Sequence, residues 1–347
     1  MSLSLFRRRN SNPSRPPVPD PQSPRAGAPG PAGSDPGRRR RAGARPEPEV
    51  TPRTDRSALL RKIRKIEIVT ERLVRDRMAG QYHSVFKGRG ISFSEVRQYM
   101  PGDDIRLIDW NVSARMNDVY IKLFTEEREM TVLLLVDMSA SGRFGSRDQE
   151  KRELAAELAA VLAFSAIRNN DRVGLIIFTD QVEKFVPPKK GKKHVLRVIS
   201  EILSFQPRHP GTRIAAGLEF LGRVARRRAV AFLVSDFLAP QDSYERALRV
   251  AVGRHDIIPV AVSDPLEEAL PSVGLLELED PETGERVLFD TSAREARAWE
   301  RDAQQSVVAR DALFRRLKMD PIRVRTDRPY LPALTTFFDA RARRMRH

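Results

Sequence analysis

Cysteine is absent from the 347 residues. That excludes disulfides and thiolate metal sites, and it makes a reducing compartment the expectation. Histidine is scarce. His83, His194, His209, His255 and His347 are scattered, without zinc-ligand spacing. None lies near a candidate nucleophile in the sequence, so spacing supports no Ser-His-Asp or Cys-His arrangement. No apolar run approaches the roughly 20 residues of a membrane span. Arg7, Arg8 and Arg9 have no hydrophobic segment behind them, which argues against a signal peptide or a twin-arginine export signal. A phosphate-cradling loop is missing too. Gly88, Arg89 and Gly90 do not continue into G-x-x-x-x-G-K-S/T, so the chain is not expected to hydrolyse nucleotide itself. The lack of cysteine, of a membrane-spanning run and of an export signal makes a soluble, cytoplasmic protein the expectation.

Positive charge is in excess, a net +16. Such a balance suits nucleic acid, an anionic surface or an acidic protein partner. The length allows one large or two modest domains with a real core. Residues 1–54 are rich in Pro, Arg and Gly and poor in apolar residues, so a disordered arm is expected there. The runs Arg7 to Arg9 and Arg38 to Arg41 concentrate charge in that arm. Residues 55–128 read as a helix followed by a small β-rich module, and 129–347 as an α/β domain.

The helix spans residues 57–79, where Leu59, Leu60, Ile63, Ile66, Val69, Leu73 and Val74 keep a helical period. From Gly88 to Arg128 that period is lost, and Gly, Asp, Arg and aromatics predict short strands and turns. Pro101-Gly102-Asp103-Asp104 is a turn signal. Arg97, Arg106 and Arg115 are expected to pair with Asp103, Asp104 and Asp109, with Trp110 anchoring the knot in the core. The alternative is a catalytic metal pair on the three aspartates.

Beyond this block, apolar strands alternate with amphipathic helices. The strands are 132–136, 172–178, 229–235, 256–262 and 322–324. A hairpin strand at 182–186 precedes a basic loop at 187–193, Pro-Pro-Lys-Lys-Gly-Lys-Lys. Helices are expected at 147–168, 194–205, 213–226, 244–253, 292–317 and 332–346, with a second hairpin at 273–278 and 286–289. The pattern implies an α/β fold: a doubly wound, mainly parallel sheet with helices on both faces.

The stretch Thr131 to Ser141, TVLLLVDMSAS, organises the rest. Its apolar run suits a strand buried on both faces, and it ends in Asp137, Ser139 and Ser141. Carboxylate and hydroxyl oxygens are the donors that Mg2+ and Mn2+ prefer. Alternate residues of an extended segment face one way, so all three can converge at the carboxyl edge of a sheet. The alternative is that they cap the following helix. Asp236 and Asp264 also end strands, and Thr212 sits in a Pro-Gly-Thr turn before a helix. Ser139, Ser141 and Thr212 hydroxyls, with Asp137 and Asp236 behind waters, would hold Mg2+ (or Mn2+) with a position open to a partner carboxylate.

Asp137-Met138-Ser139-Ala140-Ser141, the later Thr212 and Asp236 resemble the metal-ion-dependent adhesion site of von Willebrand factor A domains. GRGISFSEVRQYMPGDDIRLIDWNVSAR, followed by DMSAS, SDPLEEALPSVG and DPETGE, resembles the domain-of-unknown-function 58 family over roughly Ile63 to Arg341. The resemblance implies a von Willebrand A-like domain with metal ligation by Asp137, Ser139, Ser141, Thr212 and Asp236. It makes Arg97, Gly102, Asp103, Asp104, Arg106, Asp109, Trp110 and Arg115 structural residues of the family motif. Such proteins are typically encoded beside MoxR-type AAA+ ATPases, which makes one of these ATPases, with an acidic client, the expected partner. One departure is that Gly142 and Arg143 follow Ser141, where relatives commonly have Met.

The leading expectation is therefore a non-enzymatic, metal-dependent adaptor or co-chaperone. A metal-dependent phosphoesterase using Asp103, Asp104 or Asp109 is the alternative. Nucleic-acid binding through the basic arm and the 187–193 loop is a third reading, with affinity that falls steeply with salt. The lack of aromatics among those basic clusters argues against a stacking platform for single strands.

Overall fold

The computed structural model describes residues 56–74, 82, 85–86, 92–125, 129–145 and 149–344. The arm at 1–54 and its arginine runs lie outside the described residues. Helix α1 (Arg56–Leu73) opens the described chain. Strand β1 (Ser92–Gln98), helix α2 (Trp110–Met116) and strand β2 (Tyr120–Thr125) form the small module, with β1 and β2 paired antiparallel.

The α/β domain then runs β3 (Thr131–Asp137), α3 (Lys151–Arg168), β4 (Arg172–Phe178), β5 (Val182–Lys189), α4 (Lys192–Ser204) and α5 (Ile214–Val224). It continues with β6 (Val230–Ser235), α6 (Glu245–Arg254), β7 (Asp256–Ser263), α7 (Pro265–Glu268), and a hairpin of β8 (Leu275–Glu279) and β9 (Arg286–Asp290). Helix α8 (Ala293–Arg316), strand β10 (Ile322–Arg325) and helix α9 (Leu331–Arg344) complete it.

The central sheet has the order β10-β7-β6-β3-β4-β5. All its pairings are parallel except β4 with β5. The expected doubly wound, mainly parallel sheet is therefore present. Strand β3 sits between β4 and β6, and its apolar run is buried on both faces. Val132, Leu134 and Val136 face a layer that contains Leu158, Val198 and Phe338 from α3, α4 and α9. Leu133 and Leu135 face Leu218, Leu248 and Phe314 from α5, α6 and α8. Each such side chain contributes about 1.5–3 kcal/mol relative to exposure.

From β3 the chain moves outward to β4, and it later returns to β6 on the other side of β3. The crevice between the carboxyl ends of β3 and β6 is thus the topological switch point, where open α/β sheets place ligands.

Three features differ from the sequence expectation. Helix α3 is buried around most of its circumference, not along one face. Ala155, Ala156, Ala159, Ala160 and Ala163 are buried as well, because small side chains let α1 and α4 close against it. The prolines of the expected basic loop, Pro187 and Pro188, belong to β5 together with Lys189. Strand β5 ends the sheet order, and proline is tolerated at such an edge because it has no ladder N–H to donate. Third, α2 is a helix within a block expected to hold only strands and turns. Asp109 nucleates it by accepting from the N–H groups of Asn111 and Val112.

Candidate metal site at the sheet edge

The Arg and Asp residues of the small module are committed to each other and to the backbone. Arg97 grips Asp103 through two parallel hydrogen bonds of 2.7 and 2.8 Å, and Asp103 also accepts from Met100 N–H. That arrangement holds the turn in which Gly102 takes φ +106°, a left-handed value that suits glycine. Asp104 accepts from the N–H of Arg106, and Asp109 caps α2 while Lys122 lies 3.6 Å away. Arg97 pulls the Asp103 carboxyl below its ordinary range, and backbone N–H groups do the same for Asp109. Among the described residues, Arg106 and Arg115 make no ion pair. Trp110 corrects the expectation of a buried anchor: it is 70% exposed, on the outer face of a helix only two turns long. Met100, Ile105 and Met116 are exposed with it.

The second set of candidates does assemble. Asp137 ends β3 and accepts from Ser139 N–H at 3.0 Å and from the Ser235 hydroxyl at 2.7 Å. Ser139 and Ser141 are buried, and their Oγ atoms lie 3.0 Å apart. Asp236 follows β6 immediately and accepts from Leu238 N–H at 3.2 Å, with the Ser141 hydroxyl near enough to favour its ionised form. Thr212 arrives on the loop before α5. Ala140 N–H donates to the Pro210 carbonyl and ties that loop to the D-x-S-x-S loop. The Thr212 hydroxyl donates to Glu282 at 2.6 Å, from the turn between β8 and β9. Asp264, the third acidic strand end, is elsewhere. It is buried, accepts from the Thr326 hydroxyl at 2.6 Å and caps α7.

Four participants were not among the sequence candidates: Ser235, Lys151, Glu267 and Glu282. Lys151 begins α3, and its side chain is 3% exposed. Its ammonium donates to Asp236 at 2.7 Å and also to the buried Glu267. Burial alone would lower the Lys151 pKa, but the two carboxylates outweigh it and hold the group protonated. Burial likewise opposes ionisation of Asp236, yet Lys151 keeps that carboxyl below its ordinary value. Asp137 has no such cation. Burial, and then the charge of Asp236, push it up to about 7. The clue in the sequence was a lysine opening a helix that is otherwise buried. Ser235 directly precedes a candidate, and Glu267 and Glu282 carry no comparable local mark.

The donor set fits a small hard cation. Oxygens bound cis on an octahedral Mg2+ lie about 3 Å apart, since each metal–oxygen bond is about 2.1 Å. The Ser139 and Ser141 oxygens are already at that spacing. Asp137 is a buried carboxyl whose ionisation a cation would favour. Among the described residues no group of three or more His, Asp and Glu side chains forms a cage. The donors here are hydroxyls backed by two aspartates, a set that would leave positions for water on a bound cation.

A mainly parallel α/β domain with a D-x-S-x-S loop at its switch point is the class that fold and site define. The chain belongs to the family described as protein of unknown function DUF58, whose model matches residues 95–308. It is 31% identical over 298 residues to the uncharacterized protein Rv1480 of Mycobacterium tuberculosis (strain ATCC 25618 / H37Rv), covering 83% of this chain and 92% of that protein. Among solved structures, it is similar to the conserved hypothetical protein BatB from Bacteroides thetaiotaomicron. That match has 16% identity and a TM-score of 0.42, and covers 62% of this chain and 99% of the other. The SpRpn10 VWA domain is similar at 12% identity and a TM-score of 0.33, covering 60% of this chain and 94% of that one. Among the described residues, no helix is long and apolar enough to cross a membrane.

Proposed function

We propose that the protein is a non-enzymatic, metal-dependent protein-binding module. Asp137, Ser139, Ser141, Thr212 and Asp236 hold Mg2+ and present it to a carboxylate of a protein partner. The observation that carries this reading is the convergence at one sheet edge of Asp137, Ser139 and Ser141 with Ser235, 98 positions beyond Asp137, in one hydrogen-bonded cluster, with buried Asp236 next in the chain.

When bound, the metal supplies a Lewis-acidic point that an anionic side chain can join. The protein residues set its strength. Lys151 already offsets one of the two aspartates, so little negative charge is left over for the cation, and its attraction for an incoming anion is kept. Ser235 and Ser139 N–H hold the Asp137 carboxylate in place, so ordering it costs little when the metal arrives. Exposed Trp110, Ile105, Met100 and Met116 add apolar side chains of the kind protein interfaces use.

The family resemblance makes a MoxR-type AAA+ ATPase the partner to test, with this chain as its adaptor or co-chaperone. Binding of the purified ATPase to this protein is measured with Mg2+ and with chelator, for wild type, Ser139→Ala and Asp137→Ala. Binding that needs both Mg2+ and the intact site is expected. Equal binding by wild type and both variants in Mg2+ would remove the site from the interface. The phosphoesterase reading gains no support from geometry, since Asp103, Asp104 and Asp109 are engaged by Arg97 and by backbone N–H groups.

A further inference from the structure

The β8–β9 hairpin brings a carboxylate to the candidate metal site from within the chain. Its turn is tightly built. Asp280 N–H donates to the Glu285 carbonyl, Gly284 N–H to the Asp280 carbonyl, and Glu282 N–H to the Asp280 side chain at 2.9 Å. Gly284 adopts φ +71° to close the turn. That geometry projects Glu282 toward Thr212, where its Oε1 lies 2.6 Å from the hydroxyl oxygen. At that distance the contact is a short hydrogen bond, and it sets the carboxylate directly beside a hydroxyl that is itself a candidate ligand.

The base of the hairpin is fixed to the same site. Leu278 and Phe289 pack with Trp299 and Leu270 in a separate apolar cluster. Trp299 donates its indole N–H to the Glu267 carbonyl at 3.2 Å, and the Glu267 carboxylate holds Lys151, which holds Asp236. The hairpin is thus linked by contacts to both Thr212 and Asp236.

We infer that Glu282 is an internal ligand of the metal, occupying the position that a partner carboxylate must take, so that the β8–β9 hairpin acts as a gate on the site. This rests on the metal-site reading above and adds its regulation. Partner binding then requires the hairpin tip to withdraw, and a partner that grips the hairpin opens the site.

The test uses the full chain with Mn2+ as the probe, reading affinity by calorimetry and bound water by proton relaxation. Three hydroxyls and Glu282 leave two of six positions to water, and losing Glu282 leaves three. Glutamine at 282 still accepts from Thr212 but is no longer an anionic ligand. Glu282→Gln is expected to weaken Mn2+ binding about tenfold, within the range seen when metal-site support is removed. It is also expected to raise the inner-sphere water relaxation about 1.5-fold, following the water count. Acetate should then lower that relaxation in Glu282→Gln and leave wild type unchanged. Glu282→Asp, which keeps the charge but retracts the carboxylate by one methylene, should behave like Glu282→Gln. Wild type and both variants matching in affinity, relaxation and acetate response would overturn the internal ligand while the metal site stands. Failure of wild type itself to bind Mn2+ would overturn both readings.

Discussion

Replacing Lys151 by methionine probes the charge balance of the site directly. Methionine keeps the length of the side chain and removes the ammonium. Asp236, 2.7 Å from that ammonium, and Glu267 would then share a buried space with nothing positive between them. Removing one side of a buried, hydrogen-bonded charge cluster costs about 3–5 kcal/mol. For a folded region of this size, about 2 °C of thermal midpoint is lost per kcal/mol, so the midpoint should fall by about 6–10 °C in chelator. Mg2+ should restore part of that loss. With the competing ammonium gone, the site gains net negative charge, and a tenfold gain in affinity would add about 1.4 kcal/mol at saturating metal. Calorimetric melts of wild type and Lys151→Met, each with chelator and with Mg2+, read both effects. A loss under about 1 kcal/mol would refute the claim that Lys151 neutralises buried carboxylates. Equal stabilisation of both proteins by Mg2+ would refute its competition with the cation.

Glu67, whose side chain is 8% exposed, joins α1 to Lys192 at the start of α4. The Lys192 hydrogen bond holds its carboxyl below the ordinary value. Its contribution is therefore full above the unfolded value and is lost as pH falls through the folded one. Glu67→Gln should cost up to about 1 kcal/mol near neutrality, because Lys192 is half exposed, and denaturant titrations should show the gap closing below about pH 4. Trp110→Ala should change stability by no more than about 0.5 kcal/mol in the same titrations, since the ring is solvent-exposed. A loss of several kcal/mol would show that the ring packs against the protein in solution.

Most of the architecture was legible because it is written in short-range patterns. The run Val132 to Val136 has no polar residue to face water, so it had to be a strand covered on both sides, and the alternation that follows implied helices doing the covering. Asp137, Ser139, Ser141 and Asp236 could be named in advance because each stands where an apolar run stops, and strand ends of a parallel sheet meet at one edge. The sequence also marked Pro101 to Asp104 as a turn, which Arg97 and Asp103 clasp across six positions. It did not tell an exposed Trp110 from a buried one. An aromatic residue reads the same on either face of a short helix, and only the docking of α2 decides which way it points.

The tertiary structure alone decided which charges meet. Lys151 finds Asp236 85 positions on and Glu267 116 positions on, and Glu282 reaches Thr212 from 70 positions away. No local periodicity encodes such pairs. Each depends on where whole elements dock, and in this chain with so many charged residues a large number of other pairings were equally open to the sequence. Hydrophobic patterning sets which residues leave water, while the packed backbone sets which of the remaining polar groups must answer one another.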